Sequence, residues 1–173
     1  MKKLITTGFQ IVALVFLIGI YNNFSMNLPV AVIIENKVEH NRVIEQIIKD
    51  LRDLKAPERD IQNLANAIYM SHQSTGLNSK LIVALMKTES DFTITSIGPV
   101  NRTNIRYKGL MQTPTATLEF SDVDTLHGVR ILEQKLKISN NDLRTALALY
   151  KGGNNPVAFR QADQVLRVYK QLL

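Results

Sequence analysis

Glu89 has a position in the sequence that suits acid–base chemistry. It follows Leu85 by four residues and Ile82 by seven, so a helix here would place it on the apolar face. Burial disfavours a charged carboxyl, and the negative end of a helix dipole acts in the same direction. A carboxyl group that keeps its proton near neutral pH can serve as a general acid. The alternative is that Glu89 forms an ordinary structural ion pair or reaches water at the helix end.

Three motifs occur in a fixed order around this residue. The apolar stretch 81–92 ends in Glu-Ser-Asp-Phe, and Gly-Leu-Met-Gln at 109–112 is followed by a proline and a threonine. The alanine-rich stretch 146–153 ends in Tyr-Lys-Gly-Gly. Together these motifs resemble the soluble-lytic-transglycosylase family of the lysozyme-like superfamily, over roughly residues 60–158. The stretch 124–132 resembles the family segment in which a glycine precedes a helix.

The resemblance implies roles for five residues. Glu89 corresponds to the family's single catalytic carboxylate. Ser90, Met111 and Gln112 correspond to substrate-binding positions of the glycan groove. Tyr150 corresponds to a tyrosine that contacts the catalytic glutamate, so we expect its hydroxyl within hydrogen-bond reach of Glu89, directly or through a water.

The chain departs from the family pattern at two positions near these motifs. Gly98 stands where the family usually has a serine, nine residues after the glutamate. Lys151 stands where the family has an asparagine. The spacer from Gly98 to Gly109 is also longer than usual, and we expect it to wall the groove. These differences bear on substrate specificity more than on the reaction, and a degenerate, non-catalytic copy is the alternative.

A single catalytic carboxylate implies a particular kind of glycan cleavage. Most glycosidases use two carboxylates. Here Asp91 points to another face of the helix, and Asp122 and Asp124 lie in a segment without a matching motif. The resemblance implies that Glu89 protonates the oxygen between N-acetylmuramic acid and N-acetylglucosamine. Glu89 then acts as a base on the muramic C6 hydroxyl, which closes a 1,6-anhydro ring.

Two other functions stay open at the level of sequence. A hydrolytic, goose-type-like lysozyme would use water in place of the C6 hydroxyl. A non-catalytic cell-wall-binding component of a secretion, conjugation or phage machine would keep the groove without turnover. All three functions share one expected partner, the glycan strands of peptidoglycan.

The composition limits the other partners that need to be considered. Of 173 residues, 45% are hydrophobic and 21% charged, as in an ordinary folded protein. The net charge of +6 suits an anionic partner, but no Lys/Arg block or stripe points to nucleic acid. The chain has no cysteine, and His40, His72 and His127 lack the spacing of metal ligands. We therefore expect no nucleic-acid partner, no metal and no cofactor.

Residues 1–22 predict a membrane anchor. Lys2 and Lys3 precede an almost uncharged run at 4–21, which is just long enough to span a bilayer as a helix. A cleaved signal peptide is the alternative, but residues 22–26 lack an Ala-x-Ala pattern. We expect a single-pass protein of the bacterial inner membrane, with its C-terminal part in the periplasm or otherwise outside the cytoplasm.

The remaining sequence predicts a mainly α protein with a lysozyme-like domain. We expect a connector and helical extension at 23–56, with a short strand or packing segment at 30–34 and a helix at 38–54. The lysozyme-like domain is expected at 57–173. Its predicted helices lie at 57–75, 79–90, 115–120, 126–136, 143–149 and 157–172.

Local signals mark the ends of these helices and one long loop. Gly76 should end the first helix of the domain, and Asn78 or Ser79 should cap the next. The stretch 93–108 is rich in glycine, proline, asparagine, threonine and arginine and shows no periodicity. It predicts a long loop without strands.

Overall fold

The computed structural model describes residues 30–100 and 104–173, with side chains from residue 37 onward. The predicted anchor at 1–22 lies outside the described residues. Within the described part of the chain, no helix is both long enough and apolar enough to cross a bilayer. By its internal contacts the chain divides into two units, Met1–Arg42 and Val43–Leu173.

The described chain is mainly helical, which confirms the predicted class. Helices are numbered α1 to α6 and strands β1 and β2 in chain order. The elements are α1 Val30–Asp53, a 3₁₀ turn Glu58–Asp60, α2 Ile61–Thr75, α3 Ser79–Ser90, β1 Ile97–Val100, β2 Arg106–Lys108, α4 Ser121–Ile138, α5 Leu143–Tyr150 and α6 Pro156–Leu172.

Short-range signals end α2 and begin α3 where the sequence predicts. Gly76 ends α2 in the left-handed conformation with φ of 71°, which glycine adopts at little cost. The Asn78 side chain caps α3 by accepting a hydrogen bond from the Lys80 amide. Asn155 caps α6 in the same way, with Pro156 in the first turn.

Three predictions of local structure are wrong. Helix α1 begins at Val30, so 30–34 is neither a strand nor a connector. The predicted loop at 93–108 contains β1 and β2, which pair as an antiparallel hairpin. Residues 115–120 form turns and bends rather than a helix. The strands have only four and three residues, which is too short for an alternating pattern to be recognised in the sequence.

Helix α3 lies at the centre of the unit Val43–Leu173. Residues 81–86 are all buried, and the helix packs against α2 and α6. Ile47 and Leu51 of α1 belong to the same apolar core. The compact unit therefore begins before the predicted domain boundary at residue 57. The burial of α3 fixes the direction in which its C-terminal end, with Glu89, is presented.

Candidate active site

A cleft opens where the C-terminal ends of α3 and α5 meet the β-hairpin. Its volume is about 630 Å³. Of the predicted site residues, Glu89, Gln112 and Tyr150 line it. The full lining consists of Thr88, Glu89, Gly98, Pro99, Tyr107, Gln112, Tyr150, Lys151, Gly152 and Gln161. Glu89 is the one carboxylate among these described residues.

Glu89 lies in the last turn of α3 with its side chain 11% exposed. Burial raises the pKa of Glu89 above its ordinary value of 4.5, and the charge of Lys151 lowers it by a smaller amount. The pKa therefore stays above that of an exposed glutamate. A carboxyl group in this condition can hold a proton and donate it to a bound substrate.

Lys151 is the ion-pair partner of Glu89. The helical spacing around Glu89 does not identify this residue. Its Nζ lies 3.0 Å from Glu89 Oε1, and its side chain is 8% exposed. The Lys151 amide donates to the Leu147 carbonyl at the end of α5. Gly152 and Gly153, with φ of 128° and 113°, then turn the chain away. The position that departs from the family pattern thus contacts the candidate acid directly.

Tyr150 makes a different contact from the one expected. Its hydroxyl donates to the Met111 carbonyl at 2.7 Å, not directly to Glu89. Burial, and to a lesser extent the negative charge of Glu89, raises the pKa of Tyr150 well above its usual range. The side chain therefore remains a phenol with a proton to donate. Tyr150 shares the cleft with Glu89 while it holds the loop that carries Met111 and Gln112.

Gln112 explains why a glycine stands at position 98. The Gln112 backbone is left-handed with φ of 45°, and its Nε2 donates to the Gly109 carbonyl at 2.9 Å. A Cβ on Gly98 would lie 2.7 Å from Gln112 Oε1 and 3.3 Å from the Tyr107 carbonyl oxygen. The serine of the family pattern would therefore require Gln112 to move. Gly98 and Tyr107 of the hairpin line the cleft, in the segment that the sequence predicts as a wall of the groove.

Ser90 and Met111 do not line the cleft, so their predicted substrate contacts are corrected. Both are buried. The Ser90 hydroxyl lies 2.9 Å from the Leu110 carbonyl and 3.2 Å from the Met86 carbonyl, and its single proton can be donated to either. Ser90 thus attaches the loop at 109–112 to α3. Ser90 faces inward from the last turn of α3, and Met111 faces inward from the loop that packs over this helix.

Gly128 lies inside α4, not ahead of a helix as the resemblance suggests. A Cβ at this position would lie 2.4 Å from Met111 Cβ and 3.0 Å from the Tyr150 hydroxyl oxygen. The first separation is far below van der Waals contact, and the second is tighter than most real contacts. The glycine therefore lets Met111 and Tyr150 pack directly against the α4 backbone, and this packing places the loop beside the cleft.

The neighbouring carboxylates have structural contacts. Asp124 is buried and accepts hydrogen bonds from the Thr117 and Leu118 amides, both at 3.0 Å. Asp91 is exposed and forms an ion pair with Lys87. Neither lines the cleft. Asp91 lies outside the cleft that Glu89 lines, which agrees with the prediction that the two carboxyl groups occupy different faces of the helix.

Sequence reasoning missed several residues of the cleft. Thr88 and Gly152 line it, and each is adjacent to a residue already singled out by a motif, which was a usable signal. Lys151 departs from the family pattern, so the motifs assign it no role in the cleft. Gln161 of α6 also lines the cleft, but nothing in its local sequence indicates this. Its position depends on the packing of α6 against α3.

Comparison of the chain with protein-family models, with curated proteins and with solved structures finds no match. The likeness to the transglycosylase family therefore rests on the three motifs. The geometry of the cleft is the other observation that bears on the chemistry of the chain.

Proposed function

We propose that this chain is a lytic transglycosylase of peptidoglycan with a lysozyme-like fold. It cleaves the β-1,4 bond between N-acetylmuramic acid and N-acetylglucosamine and forms a 1,6-anhydro ring. The observation that carries the proposal is a cleft whose described lining holds one carboxylate, Glu89, nearly buried and with a raised pKa. A two-carboxylate glycosidase would need a second acidic side chain at this cleft.

Glu89 acts in both steps of the reaction. In the first step it donates its proton to the bridging oxygen, the bond from muramic C1 to that oxygen breaks, and N-acetylglucosamine leaves with a hydroxyl group. The muramic acetamido group stabilises the positive charge at C1. In the second step the Glu89 carboxylate takes the proton of the C6 hydroxyl while the C6 oxygen bonds to C1. Glu89 is then protonated again, and no cofactor or metal takes part.

The remaining side chains of the cleft bind and orient the glycan. Gln112 and Gln161 offer amide groups to sugar hydroxyls and acetamido groups, and Tyr107 offers an aromatic face. Tyr150 contributes to glycan binding indirectly. Its hydroxyl donates a hydrogen bond to the Met111 carbonyl and so fixes the loop that carries Gln112.

Digestion of purified peptidoglycan by the full-length protein tests this function. Mass spectrometry of the products should show anhydro-muramic ends, lighter by one water than hydrolysed ends. Hydrolysed ends would assign the chain to the goose-type-like lysozymes instead. Absence of new ends of either kind at every pH tried would remove the enzymatic proposal.

A non-catalytic glycan-binding protein is the second candidate. The contact of 3.0 Å between Glu89 and Lys151 favours it, because a cation at this distance stabilises the form of Glu89 that has already lost its proton. Such a protein would belong to a secretion, conjugation or phage machine. It should co-sediment with purified cell walls yet release no fragments between about pH 4 and about pH 8, a range that brackets ordinary and raised carboxyl pKa values.

The proposal includes a single-pass anchor in the bacterial inner membrane. Its support is the pair Lys2 and Lys3 ahead of the apolar run 4–21. Protease added to spheroplasts should remove residues 38–173, since these would lie outside the cytoplasm. Protection of that segment in intact spheroplasts, with digestion after lysis, would overturn the topology.

A further inference from the structure

The side-chain amine of Lys151 is surrounded by three oxygen atoms. Its Nζ lies 3.0 Å from Glu89 Oε1, 3.3 Å from Thr88 Oγ1 and 3.4 Å from the Thr88 carbonyl oxygen. An ammonium group has three N–H donors and no acceptor, so each donor has an oxygen within reach. The Thr88 hydroxyl donates its own proton to the Leu85 carbonyl at 3.0 Å, which leaves its oxygen able to accept from Lys151.

This arrangement lies at the C-terminal end of α3. The Thr88 carbonyl is one of the last four of the helix, and these have no partner within the helix. The aligned peptide dipoles also place partial negative charge at this end. A cation is therefore favoured here by the helix as well as by the carboxylate of Glu89. Lys151 comes from the end of α5, so the contact joins two elements that are distant in sequence.

Few other ionisable groups face Glu89. Lys151 is the one charged side chain beside Glu89 in the described lining of the cleft. Helix α5 also contributes Tyr150 and strand β2 contributes Tyr107, both phenols, whereas β1, α6 and the loop before α4 contribute uncharged residues. Lys87 of α3 is engaged with Asp91 and with a backbone carbonyl. Burial and the Lys151 cation thus act on Glu89 in opposite directions, and only the cation can be removed by one substitution.

We propose that Lys151 is a positioning residue that sets the pH range over which Glu89 holds its proton, and with it the pH range of glycan cleavage. The effect on cleavage rests on the function proposed above, whereas the effect on Glu89 does not. Lys151 stabilises the ionised carboxylate of Glu89. Glu89 is in this form after it has donated its proton to the substrate. A neutral side chain at 151 would leave burial unopposed, so Glu89 would keep its proton to higher pH.

A carbon-13 NMR titration of the Glu89 carboxyl in the full-length protein tests this inference. The signal is assigned by its loss in Glu89→Gln. In Lys151→Met and Lys151→Gln the midpoint should rise by about one to three pH units, the usual effect of an opposite charge at this distance. Lys151→Arg retains the charge and should keep the midpoint close to that of the unmodified protein. Lys137→Met is the matched control, because it removes one positive charge from an exposed pair with Glu133 and should leave the midpoint unchanged.

The pH profile of kcat/KM on purified peptidoglycan gives the second measurement. Activity should fall at high pH as Glu89 loses its proton, and in the two neutral variants this fall should move upward by the same amount as the NMR midpoint. A purely structural role for Lys151 would lower activity at every pH without moving the profile, which would overturn the inference. The pair of neutral variants ensures that poor folding of one leaves the other to be measured.

The NMR midpoint and glycan cleavage together distinguish the role of Lys151 from the proposed function. A midpoint that stays in place in both neutral variants overturns the role of Lys151, even if the protein cuts glycan. A midpoint that rises in a protein that never cuts glycan supports the coupling of Lys151 to Glu89 and removes the enzymatic proposal.

Discussion

Among the described residues, two ion pairs involve helix α5 or its end, and they differ in burial. Arg144 and Asp163 join α5 to α6 through two hydrogen bonds of 2.6 and 2.9 Å, with side chains 50% and 38% exposed. Glu89 and Lys151 join α3 to the end of α5 at 3.0 Å and are nearly buried. The Arg144 guanidinium lowers the pKa of Asp163. Burial raises the pKa of Glu89 despite its cation.

The comparison shows that solvent, not the presence of a partner, decides what a carboxyl group in this fold can do. At the surface, water stabilises the carboxylate and the partner adds to that, so Asp163 remains ionised and structural. In the cleft the loss of hydration exceeds the attraction of Lys151, so Glu89 can hold a proton. Of these two carboxyl groups, Glu89 is therefore the one that combines a charged partner with a raised pKa and can hold a proton for transfer.

The largest expected effect is on catalysis. Glu89→Gln should reduce glycan cleavage by about 10² to 10⁴-fold, because an amide cannot donate and then recover a proton. The amide oxygen can still accept from Lys151, so the cleft should still bind glycan. Asp91→Asn is the matched control, because this exposed carboxylate lies two residues from Glu89 and outside the cleft. The activity of this variant should equal that of the unmodified protein. Equal cutting by Glu89→Gln and the unmodified protein would remove Glu89 from the mechanism.

The second effect is on stability. Lys151→Met should lower the free energy of unfolding at neutral pH by about 1–3 kcal/mol, because it leaves a nearly buried acceptor without its partner. Arg144→Met should change it much less, because water replaces the lost partner of Asp163. Urea denaturation monitored by circular dichroism measures both. An equal decrease in the free energy of unfolding of the two variants would show that burial does not determine the contribution of each ion pair to stability.

The third effect is on the pH dependence of stability, and it has opposite signs at the two pairs. The folded pKa of Glu89 is raised, so its favourable contribution is present below 4.5 and is lost as pH rises through the folded pKa. The folded pKa of Asp163 is lowered, so its contribution is present above 3.8 and is lost as pH falls through the folded pKa. Melting curves of Lys151→Met and the unmodified protein should therefore diverge as pH rises. Those of Asp163→Asn and the unmodified protein should converge as pH falls, and parallel curves in either case would contradict these pKa directions.

The smallest expected effect is that of salt on the melting temperatures of the variants. At about 1 M salt the Debye length is about 3 Å, so attraction between exposed charges is largely screened. The difference in melting temperature between Asp163→Asn and the unmodified protein should shrink at this salt concentration. The difference for Lys151→Met should persist, because that pair is shielded from the solvent. Loss of both differences in salt would show that the cleft is as open to ions as the surface.

Local sequence determined the helical frame of this protein and the position of its candidate acid. Helix periodicity repeats within a few residues, so the placement of Glu89 on the buried face of α3 could be derived from Ile82 and Leu85 alone. The stop at Gly76 and the cap at Asn78 depend on conformations that those residue types favour locally. The motifs also indicated Gln112 and Tyr150 as residues of the cleft.

Tertiary structure decided which groups act on Glu89. The Lys151 contact joins the ends of two helices that are far apart in sequence, so no periodicity or cap could reveal it. Met111 turns inward because its loop packs over α3 and against Gly128, and Ser90 of α3 hydrogen-bonds to that loop. Both relations exist only once the elements have assembled. Desolvation, which sets the sign of the pKa shift of Glu89, likewise arises only from the surrounding packed elements.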